Sequence, residues 1–276
     1  MAPSDARYLL VAAGLLLALT AAVAAPAGAL GPDGGAAYLG AMTPVMMGAP
    51  TAVLLVVRRR LRRPGRFLTG AAAAPLRPLR PVLLTGLALA VALVVVPLLA
   101  QALAVLAGVR EVAPAPELPS LLAVALPAVL AVQLVLSTGE ELAWRGEALT
   151  VLAPLGFWRA NGLVSGVWAL WHLPLLTGYA LLGVERWVDL LLPTATIVLG
   201  GLVLGGARYL SSSVWPAVLG HALMNSVVVL LTANLTAPGE DSAAWLYPVI
   251  VCACWAGLVV LVAHVLRRRD EADSGS

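Results

Sequence analysis

Charge is scarce in this chain: of its 276 residues 11% carry a formal charge, 61% are apolar, and the mean hydropathy is +0.95. A soluble domain needs a far more polar surface, so this scarcity, together with successive apolar runs of about twenty residues, excludes one and indicates an integral membrane protein. Lysine is absent, all seventeen basic residues being arginine; alongside the heavy use of Ala, Gly, Pro and Val this reads as coding bias and says nothing of function. Cysteine is almost absent too. The two present, Cys252 and Cys254, lie two apart in one apolar run, where helical geometry turns them to different sides, so a disulfide or a paired metal site is not expected and packing is. No solvent domain, repeat or low-complexity segment stands out. The chain therefore reads as a single integral membrane domain, 1–276, ending in a solvated tail, RRRDEADSGS.

Hydropathy predicts an all-α polytopic membrane protein of about eight transmembrane helices, near 8–30, 38–57, 82–108, 120–149, 158–182, 188–207, 214–233 and 245–266. Alternation of sides then gathers Arg7, the cluster RRRLRRPGR at 58–66, Arg77, Arg80, Arg145, Arg159, Arg208 and Arg267 to Arg269 on one face. The other face receives Arg110 and Arg186 with Asp33, Glu111, Glu117, Glu185, Asp189, Glu240 and Asp241. By the positive-inside rule both termini are cytoplasmic, in a multi-pass protein of the cell membrane. The cluster at 58–66 reads as an orientation signal in preference to a lipid site. Residues 1–30 read as a retained helix, because their apolar segment is longer than the core of a usual signal peptide.

An ionisable side chain in hydrocarbon costs roughly 2.5 to 3.5 kcal/mol on insertion scales, so one that persists there is expected to be paired or to line a wet cavity. Three predicted helices hold such groups: the fourth has Glu140, Glu141, Arg145 and Glu147, the fifth His172, the seventh His221 and Asn225. Glu141 and Arg145 are four apart with the acid first, the favourable order for an ion pair on one helix face. Glu140 is turned about 100° from Glu141, which predicts a division of labour: Glu141 neutralised by Arg145, Glu140 facing a cavity. Glu147 is expected to be solvated at the interface, and so is His264, beside the terminal arginines. His221 and Asn225, four apart, share a face.

Three chemistries use such a set. A Glu beside a His can draw a proton from water while neighbouring donors hold the oxyanion of a tetrahedral intermediate. Glu140, His172 and His221 could instead bind a catalytic zinc with a fourth position for water. Proton-coupled transport is the alternative of another class, a membrane transporter or proton relay using the same Glu and His residues; an internal repeat with paired broken helices would mark it, and none is visible. The zincin pattern HExxH is absent. Spacing alone leaves these open.

EELAWRG at 140–146 resembles the EExxxR motif of the CPBP family of intramembrane proteases, the CAAX protease and bacteriocin-processing family that includes the Ras-converting prenyl-protein endopeptidases. WALWH at 168–172 resembles its FxxxH motif, with Trp168 in the place of Phe, and HALMN at 221–225 its HxxxN motif. The motifs stand in the family's order on separate predicted helices, with a catalytic core at 120–233. The resemblance implies an endopeptidase in which Glu140 activates water together with His172, and His221 and Asn225 stabilise the oxyanion. It implies that Glu141 and Arg145 are a structural pair, and Trp168 reads as an aromatic packing residue in support. Zinc on Glu140, His172 and His221 stays open as a metalloprotease variant. The expected partners are a peptide or membrane-protein substrate, with or without a prenyl group, and the lipid bilayer; no nucleic acid is expected. Substrate cleavage is expected near the cytoplasmic membrane face, because Glu140 lies about twenty residues, ~30 Å, along its helix from the outer end.

Overall fold

Backbone that crosses a bilayer must satisfy its own N–H and C=O groups, and in this chain helices do so almost throughout. The computed structural model describes residues 2–63, 67, 79–184, 190–239 and 245–274, with the side chain of Asp273 left aside. The helices are α1 (Pro3–Ala24), α2 (Gly31–Arg60), α3 (Leu79–Leu106), α4 (Leu118–Leu155), α5 (Phe157–Leu181), α6 (Leu191–Ser211), α7 (Trp215–Asn234) and α8 (Leu246–Ser274). They are divided between two compact units, residues 1–75 with 136–205 and residues 76–135 with 206–276.

In the first unit, α1 and α2 are joined by one tight turn, Ala25–Leu30, which ends at Gly31 with φ 72°, a value that glycine adopts without strain. The two helices double back on each other. Tyr8 near the start of α1 donates its hydroxyl to the Leu54 carbonyl late in α2 (3.4 Å), while Tyr38 early in α2 donates to the Val23 carbonyl at the end of α1 (3.0 Å). Tyr8, Ala12, Leu16 and Thr20 form a buried stripe of four-residue spacing on α1. Tyr8 and Ala12 join Leu54 and Val57 of α2 and Ala143 and Val151 of α4 in one apolar cluster, and α5 packs on the hairpin. Gly139 lets α4 lie directly on α2, since a Cβ there would stand 2.7 Å from the Met47 carbonyl oxygen.

In the second unit, α3 buries Val82, Gly86, Leu89, Leu93, Pro97, Ala100 and Ala104 at intervals of three or four, the spacing of a helix stripe, here facing α7 and α8. A two-stranded antiparallel ribbon, β1 (Arg110–Val112) with β2 (Thr236–Pro238), departs from the all-α expectation. Arg110 holds it, donating to the Thr236 hydroxyl (2.9 Å) and carbonyl (2.6 Å). Arg269 of α8 donates to the Leu210 carbonyl (2.7 Å), satisfying one of the unpaired carbonyls at the end of α6.

Leu10, Leu83, Leu87 and Val135 are 60–74% exposed on outer helix faces, a disposition suited to lipid and unfavourable in water. By length and composition six stretches of the described residues can cross a membrane, against the eight helices expected. Two features account for the difference. The hairpin of α1 and α2 reads as one 58-residue stretch, and α5 falls short of the hydropathy required because it carries Trp158, Arg159, Asn161, Trp168, Trp171 and His172. The tail expected to be merely solvated continues α8 as far as Ser274. Of the charges used to assign sides, Arg66, Arg77, Glu185, Arg186, Asp189, Glu240 and Asp241 lie outside the described residues.

Gly139→Ala should lower the thermal unfolding midpoint in detergent micelles, by an overpacking penalty of about 1–3 kcal/mol. Gly162→Ala, where an added Cβ meets nothing within 4 Å, should leave the midpoint almost unchanged.

Candidate active site

The fourth helix is regular from Leu126 to Glu141 and then widens into an i→i+5 turn over Leu142–Ala148. Such a turn re-aims the side chains that follow it, and it is found frequently at functional sites. Glu140 and Glu141 stand at the junction, both buried. Arg145 lies inside the wide turn, donates from Nη1 to Glu141 Oε1 at 2.8 Å, and is fully buried with its partner. The rest of its setting is built from α5 and α6. The guanidinium carbon sits 4.2 Å from the Trp168 ring centroid, a cation–π contact. On the side of α6, a Cβ at position 201 would meet Ser165 Oγ at 2.6 Å and Arg145 Nη2 at 2.9 Å, so glycine is required there. Asn161 holds α5 to α6 by donating to the Leu202 carbonyl (2.9 Å).

Glu140, expected to face a cavity, is 2% exposed, and its Oε2 accepts the Trp168 indole N–H at 2.7 Å. One turn along α5, His172 Nδ1 is 2.8 Å from the Trp168 carbonyl oxygen. A carbonyl can only accept, so Nδ1 carries a proton, which in the neutral imidazole leaves the lone pair on Nε2. The rings of Trp168 and Trp171 meet the half-buried imidazole edge to face, with centroids 5.4 and 4.8 Å away. Glu140, Glu141, Arg145, Trp168 and His172 thus form one connected cluster within the first unit.

Glu147 also differs from expectation. It is not solvated: at 2% exposure it forms ion pairs with Arg58 and Arg63, and Arg63 in turn pairs with Asp5. Two arginines of the cluster read as an orientation signal are therefore partners of α4 and α1. His264 is exposed.

In the second unit His221 is 2% exposed on α7. Asn225 lies in another wide turn, Met224–Val228, and its Nδ2 donates to Gln133 Oε1 of α4 at 3.3 Å. Gln133 escaped the sequence reading. Its signal was a lone carboxamide at membrane depth, which needs a partner, placed seven residues before Glu140 and so two turns away on the same helix face.

Residues 122–227 match the family model of Rce1-like proteins, described as Type II CAAX prenyl endopeptidase Rce1-like. The match supports the CPBP family for that segment. It takes in all three motifs, from Glu140 through His172 to Asn225, and the family supports a protease of the membrane acting on a peptide or protein. No curated protein matches the chain. His172 Nε2, the Glu140 carboxylate and the His221 imidazole are donor types that suit zinc, although among the described residues no group of three or more His, Cys, Asp or Glu is gathered as a metal site.

Arg145→Met should destabilise the protein by about 3–5 kcal/mol, because it leaves Glu141 as a buried charge without its counter-ion. Adding Glu141→Gln to Arg145→Met should recover part of the loss, as read by denaturant unfolding followed by circular dichroism.

Proposed function

We propose that the chain is an intramembrane endopeptidase that hydrolyses peptide bonds near the cytoplasmic membrane face by means of a glutamate-activated water. The observation that carries this reading is the joint attachment of Glu140 and His172 to Trp168, inside a segment that matches a prenyl endopeptidase family. The Glu140 carboxylate takes a proton from a water whose other hydrogen is directed toward His172 Nε2. The resulting hydroxide attacks the peptide carbonyl carbon. Negative charge passes to the carbonyl oxygen, which by the family resemblance the His221 imidazole and the Asn225 amide would stabilise as donors. When the C–N bond breaks, the proton held by Glu140 passes to the leaving amine, so the acid–base pair is restored. The Glu141–Arg145 pair keeps the helix junction beside Glu140 in place.

If zinc were bound, Glu140, His172 and His221 would hold it, and it would supply an acidified water; none of the steps above requires it. The arginine distribution favours both termini, and with them Glu147 and its arginine partners, on the cytoplasmic side of the cell membrane. The substrate class is the tail of a membrane-associated protein or peptide, a prenylated CAAX-type tail or a bacteriocin-like peptide, delivered from the bilayer.

Purified protein in proteoliposomes should cleave a fluorogenic CAAX-type peptide, tested with and without a prenyl group. Glu140→Gln should reduce kcat by about 10²–10⁴-fold, the usual contribution of a general base; cleavage at the unmodified rate would refute the assignment. Activity that survives exhaustive chelation, with metal content measured, supports the carboxylate mechanism. Activity lost to chelation and restored by zinc would overturn it in favour of the three-ligand metal site.

A further inference from the structure

The family pattern places phenylalanine where this chain has Trp168, and the two rings differ in one respect that matters here: indole carries an N–H donor. Resting on the function proposed above, we infer that Trp168 is the positioning residue of the site, which orients both Glu140 and His172 and couples them to the Glu141–Arg145 pair. Three contacts converge on this residue, itself 2% exposed. The indole N–H binds Glu140 Oε2 at 2.7 Å, a short charge-assisted hydrogen bond that fixes the plane of the carboxylate and so the direction of its second oxygen. The backbone carbonyl binds His172 Nδ1 at 2.8 Å and so selects the tautomer with its lone pair on Nε2. The ring face carries the Arg145 charge at 4.2 Å.

The last contact has an electrostatic consequence. A cation over the ring draws π density toward itself, and the indole edge becomes more positive. An N–H on that edge is then a stronger donor, as in other chains of mutually polarising contacts. The Glu141–Arg145 pair is thereby coupled electrostatically, by polarisation of the Trp168 ring, to Glu140. Phenylalanine at 168 would preserve the packing and the cation–π contact while removing the donor. Orientation is where the loss would appear, because displacement of a catalytic group by about 1 Å is enough to lose ~10²-fold in rate.

The test compares Trp168→Phe with a second variant carrying benzothienylalanine at 168, which keeps the size and fused ring of indole but puts sulfur in place of N–H. Both variants should lower kcat about 10- to 100-fold with KM within about twofold of the unmodified enzyme. A double-mutant cycle of Trp168→Phe with Glu140→Leu, which removes the acceptor, read as thermal unfolding midpoints, should give losses that are not additive. Undiminished kcat in the benzothienylalanine protein overturns the inference even if Trp168→Phe fails to fold, and so do additive midpoints. Activity retained in Glu140→Gln refutes the endopeptidase mechanism instead, while the unfolding cycle still reports the Trp168–Glu140 bond by itself.

Discussion

A fully buried charge must find its counter-ion in the protein, and the Glu141–Arg145 pair is the constraint around which the first unit is arranged. Taking both groups out of water costs several kcal/mol each, and attraction between them repays this only where further contacts satisfy what remains of each group. For Arg145 there is an aromatic face on one side and room left by Gly201 on the other, while its Nε and Nη2 find no hydrogen-bond partner among the described residues, which leaves the pair with Glu141 as its main compensation. Arg145 lies within the wide turn over Leu142–Ala148, and its pair with Glu141 stays closed there. Glu140, next to this junction, inherits a rigid setting that a carboxylate on a regular, lipid-facing helix would lack.

Much of this was legible in the sequence, and the limits have physical causes. The spacing of Glu141 and Arg145 announces an ion pair because four residues complete a helical turn, and the helices themselves follow from unbroken apolar runs. Trp168 is different: an aromatic letter in an apolar helix reads as packing, and only three-dimensional placement reveals whether its N–H has an acceptor. Glu147 misled for a related reason. Position near a helix end suggests solvent, yet α4 continues to Leu155, and Arg58 and Arg63 come from a segment more than eighty residues earlier. Such distant pairings leave no periodic trace. The glycines at 139 and 201 are equally silent in sequence, because their meaning lies in the backbone or guanidinium that lies against them.

The helix that contributes most polar chemistry to the first unit is also the one whose composition least resembles a membrane span. α5 holds Asn161, Ser165, Trp168 and His172 within three turns, and its hydropathy suffers accordingly. Such a helix is tolerated when its polar face is turned to protein rather than to lipid. Here α1 and α2 pack on it, the wide turn of α4 lies against it, and Gly201 of α6 gives way to Ser165.

That shelter gives the N-terminal hairpin a purpose that its sequence does not declare. Residues 3–60 carry none of the three motifs, yet Tyr8, Ala12 and Leu54 are buried in the cluster that includes Ala143 of the wide turn. The same hairpin delivers Arg58 to Glu147 and keeps the backbone at Met47 against Gly139, one residue before Glu140. Apolar packing and ion pairing therefore act on the same short stretch of α4 from the same side. The polar residues of α4 and α5 can remain within a membrane because a helical pair without chemistry of its own excludes lipid from them, and the precision of the cluster is set as much by that pair as by the motifs themselves.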